Sequence, residues 1–165
     1  MNTIKLLLRE LEQEAQTTRK FLALVPFDKA EWAPHEKSMK MMPLSTHIAE
    51  LPSWISLGLT TDELDFATAP YQPIVVNNNE ELLAIFEKSY EEAKAELSKT
   101  KEEVLAKRWV LRNGEQILSD IDKYGIIRIA ISQTIHHRAQ LGGYFRLLGI
   151  AVPSSYGPSA DDQSF

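Results

Sequence analysis

The sequence predicts an all-α domain, a four-helix bundle, on three observations. Apolar residues recur at three-and-four spacing in four separate stretches, proline- and asparagine-rich segments part several of them, and 165 residues is the length of one domain built on a single core. No repeat, low-complexity block or internal boundary divides the chain, so one domain over 1–165 is expected.

The first helix is read from Thr3 to about Leu24, where Ile4, Leu7, Leu8, Leu11, Ala15, Thr18, Phe21 and Leu22 face a Lys/Arg/Glu/Gln side. Pro26 and the charged run "DKAEWAPHEKS" end it and predict a loop. A second helix is expected to open at Pro43, since a first-turn residue needs no amide partner. It carries Leu44, His47, Ile48, Leu51, Trp54 and Ile55 on one side, with a kink at Pro52 one turn after His47.

The segment from Thr60 to Asn79 has no period and reads as a long connection. A third helix follows from Glu80 to about Ser98, on Leu82, Leu83, Phe86, Tyr90, Ala93 and Leu97. "KRWVLRNGEQIL" alternates apolar residues around Asn113-Gly114, the signal of a hairpin or of an irregular excursion. The fourth helix, about Lys123 to Leu148, is apolar on nearly every side and is stopped by Gly149. Its face with Ile131, Ile135, Ala139 and Gly142 needs the long connection or a second subunit as cover, so a homodimer is expected.

Composition excludes several functions. A net charge of −5 and a pI near 5.4, with no dense Lys/Arg block, give no footprint for nucleic acid or an anionic membrane. With no cysteine there is no disulfide framework, thiolate metal site or cysteine nucleophile. The N-terminal run carries charge too early for a signal peptide and no 18-residue apolar stretch follows, so a cytoplasmic protein is expected.

The chemistry concentrates in "TIHHRAQLGGYFRLLG". At about 100° per residue from Gln133, His137 lies at about +40°, Gln140 at about −20° and His136 at about −60°. All fall on the side of Ile126, Ile129, Tyr144 and Leu147, which reads as inward, whereas Arg138 and Arg146 fall off it toward salt bridges or tail contacts with Asp161 and Asp162. A single buried histidine is ordinarily satisfied by neighbours or water. His47, on the apolar face of another helix and just before a kink, adds the reason to expect convergence on one ion. Glu50 is the nearest carboxylate in sequence, either a general base or a solvated helix charge.

"WAPHEKSMKMMPLSTHIAELPSW" from Trp32 to Trp54 and "HHRAQLGGYFRLLGIAVPSSYGPSADD" from His136 to Asp162 closely resemble the DinB/YfiT-like family, a likeness spanning most of the chain. The resemblance implies an up-down-down-up bundle, commonly dimeric, holding a divalent metal, nickel or zinc, through three histidines. One matches His47, and the second of an H-x-x-x-H motif matches His137. The first of that motif is Gln133 here, a neutral and poorer donor, so the implied ligand set is His47, Gln133 and His137 with weakened affinity or shifted preference. His136 and Tyr144 are then expected behind the ligands, His136 as a partner rather than a ligand.

The function expected is a metal-dependent transferase, thiol-dependent as some family members are, or a hydrolase, acting on a small molecule through an ion that lowers the pKa of a bound thiol or water. The alternative is a non-catalytic dimeric stress-response or small-molecule-binding bundle with a degenerate site, which Gln133 favours.

Overall fold

Asn2 opens the chain's first helix by accepting the Lys5 amide at 2.9 Å, the capping bond expected of an asparagine there. The computed structural model describes residues 2–164. Helix α1 spans Thr3–Leu22, α2 Met41–Glu50, α3 Ser53–Thr60, α4 Asn79–Lys99 and α5 Lys123–Leu147. Strands β1 (Glu63–Asp65), β2 (Arg108–Asn113) and β3 (Gln116–Asp122) complete the main elements.

Pro43 is the third residue of α2 rather than its first. Every amide of a first turn lacks an intrahelical partner, so proline is tolerated throughout it and not at its first position alone. Pro52 does what its ring dictates. The predicted second helix breaks into α2 and α3 there, and the amides of Trp54 and Ile55 turn back to Leu51 and Pro52 carbonyls in tighter three-residue bonds.

Helix directions can be read from cross-pairs. Arg19 meets Glu87, and Glu12 lies within 3.5 Å of Lys94, so α1 and α4 are antiparallel. Glu10 meets Arg128, and Phe21 stacks on Phe145, so α1 and α5 are parallel. His47 faces His137 while Gly58 abuts Ile126, so α2 and α3 descend against a rising α5. Taking the kinked α2–α3 as one arm, the order is up, down, down, up. The core joins these helices through Leu7, Leu44, Ile48, Leu82, Phe86, Ile127 and Phe145, all buried.

The domain is not all-α. The Asn113-Gly114 signal marks a true hairpin: Gly114 takes φ of 59°, a conformation glycine adopts without strain, and β2 pairs antiparallel with β3. The connection after α3 contributes β1, which pairs parallel with β2. Asp65 pins that edge by accepting the Ala67 and Gly114 amides, both at 2.9 Å. The sheet stands beside α5, and fully buried Trp109 gives its indole N–H to Thr61 Oγ1 at 3.1 Å.

The inward side of α5 also needs correction. Its buried residues, among them Ile127, Thr134, Arg138, Leu141 and Phe145, centre at about +110° on the wheel drawn from Gln133. Ile129 and Leu147, read as inward, are 41% and 67% exposed, and His136 and Gln140 point to solvent with them. Arg138, placed off the core from its sequence position, is only 2% exposed and pairs with Glu14 of α1 at 2.7 Å. Of the Ile131–Gly142 face, Ile131 and Gly142 are buried within the chain, Gly142 against Phe21 of α1 and Val152 of the C-terminal tail, while Ile135 is half-buried and Ala139 exposed. Apolar residues on both sides of α5 made its amphipathic phase ambiguous. A buried arginine and flanking exposed isoleucine and leucine resolved it.

Candidate metal centre and its clefts

His47 lies in the last turn of α2, and the break at Pro52 begins one turn later. Its ring centroid is 4.8 Å from that of His137 on α5, with the planes at 77°. Two imidazoles bonded to one ion through ring nitrogens at about 2.0–2.1 Å put their centroids on the order of 5 Å apart, so this pair is spaced to share one. Burial, and then the charge of His137, hold the His47 pKa below the ordinary imidazole value, which keeps its lone pair available.

His137 is oriented by a neighbour. Its Nδ1 lies 2.9 Å from Gln140 Oε1, an acceptor only, so Nδ1 carries the proton and Nε2 is left as the donor atom for an ion. Gln140 Nε2 in turn donates to His136 Nε2 at 3.1 Å. His136 therefore sits behind His137, its ring centroid 4.9 Å away, with an amide rather than a carboxylate as its partner. Gln133, one turn before His137, lines one hollow with His47 and a second with His137. Tyr144 is outside this group: its hydroxyl donates to the Met39 carbonyl at 2.9 Å and its ring packs edge-on against Trp32.

Among the described residues no group of three His, Cys, Asp or Glu side chains could hold a metal ion. The donors present are two facing imidazoles, with the Gln133 amide lining a hollow beside each, a neutral set that suits a divalent ion less well than three histidines would.

His47 stands where several clefts meet. One, of about 400 Å³, also contains Glu50, Trp54, Phe66 and Tyr71. There Tyr71 Oη donates to Glu50 Oε2 at 2.9 Å. Burial raises the Glu50 pKa, and the Tyr71 bond partly opposes that rise. Tyr71 itself is pushed up to about 12 by burial and by Glu50, so it remains a donor at neutral pH. A second cleft, of about 230 Å³, runs between α3, α5 and the sheet, walled by Trp54, Trp109, Leu111 and Ile126. Sequence reasoning missed this wall. The alternation around Asn113-Gly114 was its only signal, and it did not say which helix the hairpin would lie against.

These features agree with the comparisons. The model of the DinB family matches residues 1–164. A DinB-like protein from Bacillus subtilis is 18% identical, with a TM-score of 0.67 over 88% of this chain and 92% of that one. YfiT from the same organism, described as a probable metal-dependent hydrolase with an unusual four-helix bundle topology, is 13% identical, with a TM-score of 0.67 over 90% of this chain and 89% of that one. The mycothiol-dependent maleylpyruvate isomerase is 13% identical, with a TM-score of 0.59 over 84% of this chain and 60% of that one. No curated protein matches the chain. No helix among the described residues is long and apolar enough to cross a membrane. With a family model covering nearly its whole length, the chain belongs to the DinB family.

Proposed function

We propose that the protein is a metal-dependent hydrolase of a small molecule, with nickel or zinc held by His47, His137 and Gln133, and Glu50 as general base. The observation that carries this reading is the pair of facing imidazoles, one with a free Nε2 and the other held neutral by burial. The description of YfiT supports it by likeness of fold.

A divalent ion would supply Lewis acidity, lowering the pKa of a water or thiol beside it. The chain's own residues supply the rest. His137 is fixed in one tautomer by Gln140, Glu50 is a partly buried carboxylate able to take a proton, and Tyr71 orients it. The likeness to a mycothiol-dependent isomerase raises thiol transfer as a neighbouring chemistry. A second reading, a binding bundle with a degenerate site, is favoured by Gln133 standing where the family motif has histidine.

Elemental analysis of untagged protein, purified without added metal and then incubated with nickel or zinc, tests the centre. One ion per chain, lost in His47→Ala and His137→Ala, is expected. Protein that stays metal-free after incubation would overturn the hydrolase reading. In metal-loaded protein, Glu50→Gln should keep the ion while lowering turnover of an ester or amide substrate by about 10²–10⁴-fold.

A further inference from the structure

The cleft between α3, α5 and the sheet differs from the one that holds Glu50. Its volume is about 230 Å³, and its walls are Trp54, Trp109, Leu111, Ile121, Ile126 and Ile129. Among the described residues that line it there is no Lys, Arg, Asp or Glu. Trp109 brings only hydrocarbon, because its indole N–H is already used by Thr61 Oγ1. The polar groups are Ser119 on β3 and, shared with the candidate centre, His47 and Gln133. An apolar hollow with few polar groups at one end is the usual form of a small-molecule site.

We infer that this cleft is the subsite for an uncharged aromatic or branched-alkyl group of the substrate, seated so that the adjoining polar group lies at His47 and Gln133. The substrate part of the inference rests on the reading of that pair as a reaction centre; the binding part does not. Charge decides the class. A carboxylate or phosphate taken into this cleft would be desolvated without a cation to meet it, a cost that aromatic and alkyl groups do not incur. The substrate's charged portion, if it has one, belongs on the other side of His47, in the larger cleft with Ser53, Glu50 and Tyr71.

The test uses two probes of one shape, 2-naphthol and 2-naphthoate, titrated calorimetrically into the full chain at neutral pH in the presence of EDTA. One equivalent of 2-naphthol is expected to bind, with 2-naphthoate at least tenfold weaker. Ser119→Phe, which fills the cleft from the half-exposed face of the hairpin, should weaken 2-naphthol at least tenfold. Leu118→Phe, on an exposed neighbour, should leave it within twofold. Nuclear Overhauser contacts from the naphthol ring to the indoles of Trp54 and Trp109 should place it without recourse to any variant. Equal binding of the two probes, no binding, or contacts elsewhere would overturn the inference. His137→Ala, at a residue that does not line this cleft, should lose the metal and keep 2-naphthol, so failure of the metal centre and failure of the cleft are read separately.

Discussion

His47 and His137 face each other with ring centroids 4.8 Å apart, and only His137 has its orientation fixed by a side chain, Gln140. That asymmetry assigns different consequences to the residues around the pair. Gln140→Ala leaves both imidazoles in place but frees the His137 ring, and loss of such an orienting partner ordinarily weakens metal binding about 10–100-fold. Calorimetric titration of nickel or zinc should show that drop with an unchanged melting temperature.

Gln133 has the opposite prediction. Replacing a neutral amide by imidazole at the same helical position, in Gln133→His, should tighten nickel or zinc binding by at least tenfold, because imidazole is the better donor to both ions. The same titration reads it. Unchanged affinity would mean that residue 133 does not reach the ion.

The long helices were legible in the sequence because each shows its core face to a one-dimensional count: α1 and α4 lie within two residues of their predicted ends. Pro52 also declared its kink. The sheet was only half legible, since β1 is three residues long and its pairing with β2 is settled by Asp65 reaching across to Gly114. The phase of α5 was misread because periodicity weighs Ile129 and Leu147 as core and Arg138 as surface. The long aliphatic stem and five-donor head of Arg138 instead find Glu14 and Thr18 inside the bundle and the exposed Tyr156 of the C-terminal tail at its edge. Of the candidate site, the convergence of residues 47 and 137 followed from helix faces. The clefts beside them did not, because their walls come from elements far apart in the chain.

Arg138 and Glu14 therefore make a stability prediction. Arg138 Nη1 donates to the Glu14 carbonyl at 3.1 Å and to Thr18 Oγ1 at 3.0 Å, while Tyr156 Oη donates to Glu14 Oε1 at 2.8 Å. Arg138→Met strands a buried carboxylate and should cost about 3–5 kcal/mol in denaturant unfolding. Combining it with Glu14→Leu should recover most of that loss, since an apolar pair has no charge to desolvate.

Gly58 couples α3 to the site's apolar wall. A Cβ at this position would lie 2.5 Å from Ile126 Cγ2, well inside contact distance. Gly58→Ala should destabilise the fold by about 1–3 kcal/mol despite alanine's better helix propensity. In a double-mutant cycle with Ile126→Ala, the clash has no partner, so the two single costs should sum to more than the cost of the double variant. Additive values would mean that α3 and α5 relax apart at this crossing.

The C-terminal tail carries the pH dependence. Asp162 accepts the Ser154 amide at 2.9 Å and the Ser164 amide at 3.0 Å, bonds that hold its pKa far below the ordinary 3.8. Asp161 is lowered as well, by Arg146 at 2.6 Å and then by the Val152 amide. A carboxylate with a depressed folded pKa stabilises the folded tail fully above its unfolded value and loses that contribution as pH falls through the folded one. Hydrogen-exchange protection factors at Val152 and Ser154 should thus be flat from pH 7 to about 5 and decline progressively below about 4. Asp162→Asn should show the weakened protection at Ser154 already at pH 7, with the amides of α1 unchanged. Protection at Ser154 that is indifferent to both acid and this substitution would mean that the tail is held by Val152 packing on Gly142 rather than by its carboxylates.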